Sequence, residues 1–255
     1  MKKSQCYYRD FLSILTKNEL VLKYRYTWVG FFWAIINPIL QMLSLGLVFM
    51  LFARIDIEHY FIFLFVGLIS WNFFSQSLHQ TTSIIIDKRH FLTKSNFPKE
   101  FLPLSVILVN LFHFIVAMGI ASLVIAINYQ LLWYKLLFVL LSLLWLFGLT
   151  VGLSLLTSAL TVFYRDIRFV VKNSLPIIFY ITPILYTQEI APALFQPLFY
   201  LNPMAGIIEL IRFGFSITQS ISTTLIGVNL LVSCIIFASG WYSFQHLKPF
   251  FVDKL

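Results

Sequence analysis

Long apolar stretches alternate with short polar segments along this chain. Six of the stretches each contain about the 20 residues that a helix needs to cross the hydrocarbon core of a bilayer. They lie at residues 31–53, 61–83, 101–127, 136–163, 169–186 and 221–244. The pattern predicts an all-α polytopic membrane protein with six transmembrane helices, in a single transmembrane domain over residues 1–255.

The composition agrees with a surface that faces lipid. Hydrophobic residues make up 60% of the chain and charged residues 11%, and the mean hydropathy is +0.88. A water-soluble fold of this composition would expose more apolar surface than its polar side chains could cover. We therefore expect contact with membrane lipids over much of the surface.

The basic residues are distributed unequally between the two sides of the predicted bundle. Of the 18 Lys and Arg, all but Arg54, Lys135 and Arg212 fall in segments on the side of the two termini. Segments rich in Lys and Arg stay in the cytoplasm, so both termini are expected there. This bias also accounts for the net charge of +8, and we expect no nucleic-acid partner.

An amphipathic helix is predicted within residues 1–30, ahead of the first span. Apolar residues recur there at helical spacing: Tyr8, Phe11, Leu12, Leu15, Leu22 and Tyr26. Glu19 falls on the same stripe, which a helix at a membrane interface tolerates because its side chain reaches water. The segment lacks an uninterrupted apolar core, so we expect no cleaved signal peptide. A simple surface anchor and a platform that touches a cytoplasmic partner both remain open.

Two polar segments between the spans have features of their own. Residues 87–100 form a short basic loop around Phe91 and Phe97, which is either a connector or a short helix that docks on a cytoplasmic subunit. Residues 188–218 alternate apolar stretches with Pro192, Pro197 and Pro203, which predicts re-entrant outer helices. Asn202 and Pro203 are expected to begin one of them, as N-cap and first-turn residue.

Catalytic and metal-binding patterns are missing from the sequence. The histidines are scattered, no spacing suits a metal ion, and none of the 10 glycines precedes a Lys as in a phosphate-binding loop. We expect neither catalytic residues nor a metal site. His113 and Asn110 are the polar pair deepest in a span, which favours helix-to-helix hydrogen bonding over a proton relay. Gly148 and Gly152 indicate close helix packing, within one chain or between two.

An ordered set of short motifs resembles a known family. Residues 24–33 read YRYTWVGFFW and lead to Asn37-Pro38, with Thr27 where Ser is common; further on come NFPK at 96–99 before Pro103-Leu104, FYRDI at 163–167, TPILY at 182–186 and LNPM at 201–204. Together they resemble the membrane subunits of ABC-2 type exporters, which move lipid-linked polysaccharides such as O-antigen, capsule or teichoic acid. The resemblance runs nearly from end to end.

This resemblance implies a half-transporter in the inner membrane of a bacterial cell. Its partners would be a second copy of this chain, two copies of a cytoplasmic ABC ATPase subunit and a lipid-linked glycan. ATP and Mg would bind the ATPase, and this chain would be neither an enzyme nor the holder of a cofactor. A permease for a smaller lipid or drug is the alternative; an ion-coupled carrier or a membrane glycolipid enzyme fits the sequence less well.

The resemblance also assigns roles to residues. Coupling to the ATPase falls to Asp87, Lys88, Arg89, Phe91, Lys94, Phe97 and Lys99. The amphipathic segment is assigned to a cytoplasmic gate. Our own hypothesis is that the lipid pyrophosphate enters there, at Lys23, Arg25 and Trp28, with Lys23 and Arg25 attracting the anion electrostatically. Arg165 and Asp166 mark the second cytoplasmic loop. Pro192, Asn202 and Pro203 mark the outer re-entrant helices.

Overall fold

The computed structural model describes residues 2–25, 30–52, 57, 59–90, 97–128 and 132–254. Trp28, Phe91 and Lys94 lie outside these residues. Its α-helices in chain order are α1 (Lys2–Tyr24), α2 (Trp33–Phe52), α3 (Tyr60–Thr82), α4 (Ile84–Asp87), α5 (Phe101–Asn128), α6 (Leu136–Phe163), α7 (Ile167–Ile181), α8 (Gln196–Leu201), α9 (Pro203–Gly214), α10 (Thr223–Leu247) and α11 (Phe251–Lys254). The predicted all-α membrane fold is confirmed.

Within the described residues, five helical segments are long and apolar enough to cross a membrane. They cover Trp33–Phe52, Tyr60–Thr82, Phe101–Ile127, Trp133–Phe163 and Thr223–Lys254. Each coincides with one of the predicted spans, because an uninterrupted apolar run of this length has no other solvent that suits it.

The remaining predicted span, at 169–186, becomes the shorter helix α7. This helix has 15 residues and is therefore about 22 Å long, less than the hydrocarbon thickness. It ends at Ile181 because Thr182 precedes Pro183 and takes extended backbone angles, φ −76° and ψ 134°. The sixth crossing therefore stays a prediction.

Helix α3 forms the centre of the bundle. Most of its residues are buried, and it packs against α2, α5, α6, α7 and α9. Aromatic pairs fill these contacts: the ring centroids of Phe73 and Phe114 on α5 lie 5.1 Å apart, and those of Trp71 and Phe179 on α7 lie 5.7 Å apart. In helix α2, by contrast, only 11% of the most apolar stretch is buried. Its exposed Leu and Phe side chains therefore need an apolar environment such as lipid.

Helices α6 and α10 approach each other to backbone contact at Gly152 and Gly240. A Cβ atom on Gly240 would lie 2.0 Å from the carbonyl oxygen of Gly152, and one on Gly152 would lie 2.5 Å from Cα of Phe237. Only glycine fits at both positions. A Cβ atom on Gly148 would meet no atom within 4 Å, so close packing within the chain is confirmed for Gly152, and packing of Gly148 against a second copy stays a prediction.

The predicted amphipathic helix forms as α1 and lies along α5. Leu15 is buried, and Phe11 packs against Phe97 and Phe101, with ring centroids 5.2 and 6.4 Å apart. Ile14 and Leu22 remain exposed. The apolar stripe is thus divided between a protein contact and a free surface.

The polar segments segregate to the two ends of the bundle. We call one of them the basic end. It contains α1, residues 87–90 and 97–100, the turn at 164–166 and the segment Lys248–Lys254. Phe251 is fully buried in this region, near Phe163 and Phe244. The segment from Gln188 to Ser222, with α8 and α9, forms the opposite end.

Candidate functional site

A cavity of about 310 Å³ opens between α1, α2, α3 and α5. We call it the Lys23 cavity. Its polar lining residues are Lys23, Tyr24, Asn37, Asn72, Gln76, Asn110 and His113. The aromatic rings of Trp33, Phe73 and Phe114 form part of its apolar wall. A cation, several amides and flat apolar faces therefore meet in one space, as in a site for an amphiphilic ligand.

The end of α1 is fixed to α5 by two polar contacts in this cavity. Lys23 donates from Nζ to Oδ1 of Asn110 over 3.1 Å, and the Tyr24 hydroxyl shares a hydrogen bond of 2.7 Å with Nε2 of His113. Asn110 also donates to Ser77 Oγ (3.2 Å) and to Gln80 Oε1 (3.1 Å) on α3. The two side chains recognised from sequence as a helix-to-helix pair thus hold α1 in place as well.

Lys23 carries its ammonium group to the wall of this cavity. Removal of its ammonium from water lowers the pKa of Lys23, and the amide oxygen of Asn110 orients the group. Arg25 follows the end of α1 as an exposed residue and does not line the cavity. The structure therefore brings Lys23, and not Arg25, into the cavity, while Trp28 lies outside the described residues.

The predicted coupling residues that the structure describes contact both ends of the chain. Lys88 forms an ion pair with Glu19 on α1, and the ring of Phe97 packs against that of Phe11 at a tilt of 46°. Lys99 donates to the carbonyl oxygen of Lys248 over 2.9 Å and lies 5.7 Å from the ring centroid of Phe251. The segment is thus linked to α1 and to the C-terminal helices.

Asp87 and Arg89 are the described coupling residues that lie at the surface. Asp87 accepts a hydrogen bond of 2.6 Å from Ser83. Phe91 and Lys94 lie outside the described residues. Arg165 and Asp166 are exposed in the turn before α7, and no ion pair joins these two described residues. Their side chains remain accessible to a partner.

The opposite end contains the predicted helix start at Asn202 and Pro203. Oδ1 of Asn202 accepts a hydrogen bond from the backbone N–H of Met204 over 3.1 Å, and Pro203 is the first residue of α9. Asn202 also donates to Oγ1 of Thr182 over 2.8 Å, which connects α9 to the end of α7. The expected cap is confirmed. The carbonyl of Pro192, in a short turn, accepts from the backbone N–H of Phe195 over 2.9 Å.

Arg212 is the functional candidate that the sequence reading missed. Its position in the sequence predicts a charge outside the bundle, yet only 4% of the residue is exposed. Its terminal nitrogens donate to the carbonyl oxygens of Pro183 (2.7 Å), Ile184 (2.8 Å) and Phe63 (3.2 Å), and the guanidinium lies 3.3 Å from the ring centroid of Phe63. A lone Arg in the apolar run of α9, together with a proline turn that frees carbonyl groups, is the signal that could have revealed it.

Arg212 lines a second cavity, which we call the Arg212 cavity, of about 530 Å³. Its polar lining residues are Thr187, Gln188, Glu189, Glu209, Arg212, Thr218, Gln219, Ser220 and Ser222. Glu209 accepts hydrogen bonds from Nε2 of Gln188 (2.8 Å) and from the backbone N–H of Ser222 (2.6 Å). Burial raises the pKa of Glu209, partly offset by these hydrogen bonds.

Comparison with known proteins places this geometry in a family. Residues 11–216 match the family described as ABC-2 type transporter. The O-antigen export system permease protein RfbA of Myxococcus xanthus is 36% identical over 207 residues, which cover 78% of each chain. Two proteins of the same name from Klebsiella pneumoniae are 26% identical over all of this chain and 98% of the relative, and 29% identical over 82% of this chain and 81% of the relative. The chain belongs to the ABC-2 type transporter family.

Proposed function

We propose that this chain is the membrane-spanning permease subunit of an ATP-driven exporter that moves a lipid-linked polysaccharide out of the cytoplasm. The observation that carries the proposal is its similarity to permeases named for O-antigen export, which extends over 78% to 100% of the chain. Five long apolar helices fit a membrane-embedded subunit.

ATP is hydrolysed, in this proposal, on a separate subunit that binds ATP and Mg. The sequence supports this division because none of its 10 glycines begins the Gly-Lys pair of a phosphate-binding loop. The permease then acts by moving helices in response to its partner, and holds no cofactor of its own.

The partner ATPase docks at the basic end, on the exposed residues around Asp87 and Arg89. A push on this segment is transmitted to α1 through the ion pair of Lys88 with Glu19 and the contact of Phe97 with Phe11. It reaches the C-terminal helices through Lys99. These contacts support the platform interpretation of α1 over that of a simple anchor.

The lipid pyrophosphate enters at the Lys23 cavity. A diphosphate carries several negative charges, which a partly desolvated ammonium attracts more strongly than one in bulk water. Neutral amides around Lys23 donate further hydrogen bonds, and the aromatic wall suits the first isoprenoid or sugar units. The exposed Arg25, two residues after Lys23, draws the anion toward the cavity.

The functional exporter contains two copies of this chain and two ATPase subunits, with both termini in the cytoplasm and the spans in a bacterial inner membrane. The concentration of basic residues at one end supports this orientation. The apolar, largely exposed surface of α2 supports a second copy or lipid as its neighbour. Helices α8 and α9 then lie on the outer side, where the glycan leaves.

One experiment tests the exporter class. Tagged chain is purified in gentle detergent from its native membranes, and bound proteins and the native mass are determined by mass spectrometry. We expect two permease copies and two ATPase copies, and deletion of either gene is expected to abolish surface glycan. A stable assembly without an ATPase, or normal surface glycan after deletion, contradicts the proposal.

A further inference from the structure

The Arg212 cavity is lined by hydrogen-bonding groups of every common kind. Gln188 and Gln219 provide amides, Thr187 and Ser220 provide hydroxyls, and Glu189 and Glu209 provide carboxylates. Its volume of about 530 Å³ lies within the roughly 300–1,000 Å³ of small-molecule sites. Donors and acceptors thus alternate around a space that holds one or two ring-sized units.

Two of the lining residues have buried polar atoms that remain unsatisfied. Arg212 has no acceptor for its Nε among the described residues, although its terminal nitrogens donate to three carbonyl groups. Oγ1 of Thr218 is likewise buried without a partner in the described part of the chain. Buried polar groups are normally paired, so unpaired ones at a cavity point to a ligand or to ordered water.

The charges in this cavity do not suit an anion. Two carboxylates, on Glu189 and Glu209, face a single guanidinium, and that guanidinium is already occupied by backbone carbonyls and by the ring of Phe63. Carboxylates and amide oxygens accept hydrogen bonds from hydroxyl groups, and amide nitrogens donate to them. A molecule rich in neutral hydroxyls pairs with all of these groups.

Stacking on an aromatic ring is not the means of recognition here. Phe63 is the one aromatic residue in the described lining, and its ring face is covered by Arg212 at 3.3 Å. Recognition therefore depends on hydrogen bonds, which exchange readily with water at an open cavity and give weak, transient binding. Such binding suits a polymer that must move on.

We infer that the Arg212 cavity is a binding subsite for neutral sugar residues, selected over acidic ones, of the glycan that this permease exports. The inference rests on the proposed function, because that function supplies the polymer. It assigns a role to the segment Gln188–Ser222 beyond that of a cap: each sugar unit in turn exchanges water for the polar wall as it leaves.

Saturation-transfer NMR on the purified chain in lipid nanodiscs, with any subunits that co-purify, tests the inference. The probes are maltotriose and mannotriose as neutral trisaccharides, and trigalacturonate as an acidic one. The double variant Gln219→Ala with Ser220→Ala removes two lining side chains. Gln196→Ala is the matched control, because Gln196 is an exposed glutamine at the same end that does not line the cavity.

We expect a neutral trisaccharide to bind, trigalacturonate to bind more weakly, and the double variant to raise the Kd for the neutral probe at least about threefold through the lost hydrogen bonds. Gln196→Ala should leave this Kd unchanged. Absence of binding by both neutral probes, an unchanged Kd in the double variant, or equally tight binding of trigalacturonate overturns the inference.

Surface glycan measured in cells separates this inference from the proposed function. A chain that exports glycan but fails the trisaccharide test leaves the proposed function intact and removes the subsite. A chain that binds trisaccharides but neither exports glycan nor recruits an ATPase removes the proposed function.

Discussion

Lys23 on α1 donates a hydrogen bond of 3.1 Å to Asn110 on α5, and this contact brings a cation from outside the spans to the wall of a cavity within them. Asn110 is itself 3% exposed and is fixed by its bonds to Ser77 and Gln80. The position of the ammonium is therefore set by the packed bundle and not by the exposed helix that carries it.

The first prediction concerns this cation. Replacement of Lys23 and Arg25 by Gln should lower glycan export about tenfold or more, because charge-assisted hydrogen bonds to a phosphate are worth roughly 1.5–3 kcal/mol each. Surface glycan is measured by gel and immunoblot, and co-purified ATPase shows that assembly is intact. Lys17→Gln, on the exposed part of the same helix, should export normally. Normal export by the double variant would rule out this gate.

A second prediction addresses the ion pair of Glu19 with Lys88. Lys88→Glu should uncouple the transporter, so that ATP hydrolysis continues while export falls, because the repelled α1 no longer follows the loop. The charge-swapped variant, Lys88→Glu with Glu19→Lys, should recover export. The direct cost in unfolding free energy is small, about 1 kcal/mol or less for a partly exposed pair. ATPase activity and export are measured together in each variant. If the charge-swapped variant does not recover export, the ion pair is not what couples hydrolysis to export.

The third prediction is that Arg212→Met unfolds the end of the bundle opposite to α1. Three buried carbonyls lose their donor, each at about 1–3 kcal/mol, so the midpoint of thermal unfolding in detergent should fall by several degrees. Arg168→Met removes an exposed arginine and should leave the midpoint of thermal unfolding equal, within error, to that of the unmodified chain. Equal midpoints for both variants would show that Arg212 is not structural.

A fourth prediction compares two glycines. Gly240→Ala places a methyl group against the backbone of Gly152 and should separate α6 from α10, with a marked loss of thermal stability. Gly148→Ala meets no atom within 4 Å and should be neutral or stabilising by up to about 1 kcal/mol, since alanine favours helix. The same unfolding assay measures both. Matched effects would refute the close contact.

Much of the fold could be predicted from local sequence. The five spans follow from apolar runs that only lipid accommodates, and the start of α9 follows from the Asn202-Pro203 pair, since both signals act over a few residues. The predicted span at 169–186 extends past the end of α7 at Ile181, because Ile184 and Leu185 continue the apolar run after Pro183. A hydropathy pattern registers apolarity and does not register the loss of helical backbone.

The candidate sites depended on contacts distant in sequence. Lys23 meets Asn110 across 87 residues, and Arg212 meets the carbonyl of Phe63 across 149. The apolar run around Arg212 indicates a buried position, but it does not identify the carbonyl groups that pair with the guanidinium. Glu19 interrupts an apolar stripe in the sequence. Its ion-pair partner, Lys88, is 69 positions away, so only the fold shows why an acidic residue is accommodated there.

The contact between Gly152 and Gly240 has a consequence for how such a protein opens. At this contact the two helix backbones meet directly, so we expect α6 and α10 to move together. A conduit wide enough for a sugar chain therefore has to widen elsewhere. Helix α2 is the least buried of the described spans, and it borders the Lys23 cavity. We expect the conduit to widen by movement of α2, while the packed pair of α6 and α10 keeps its position.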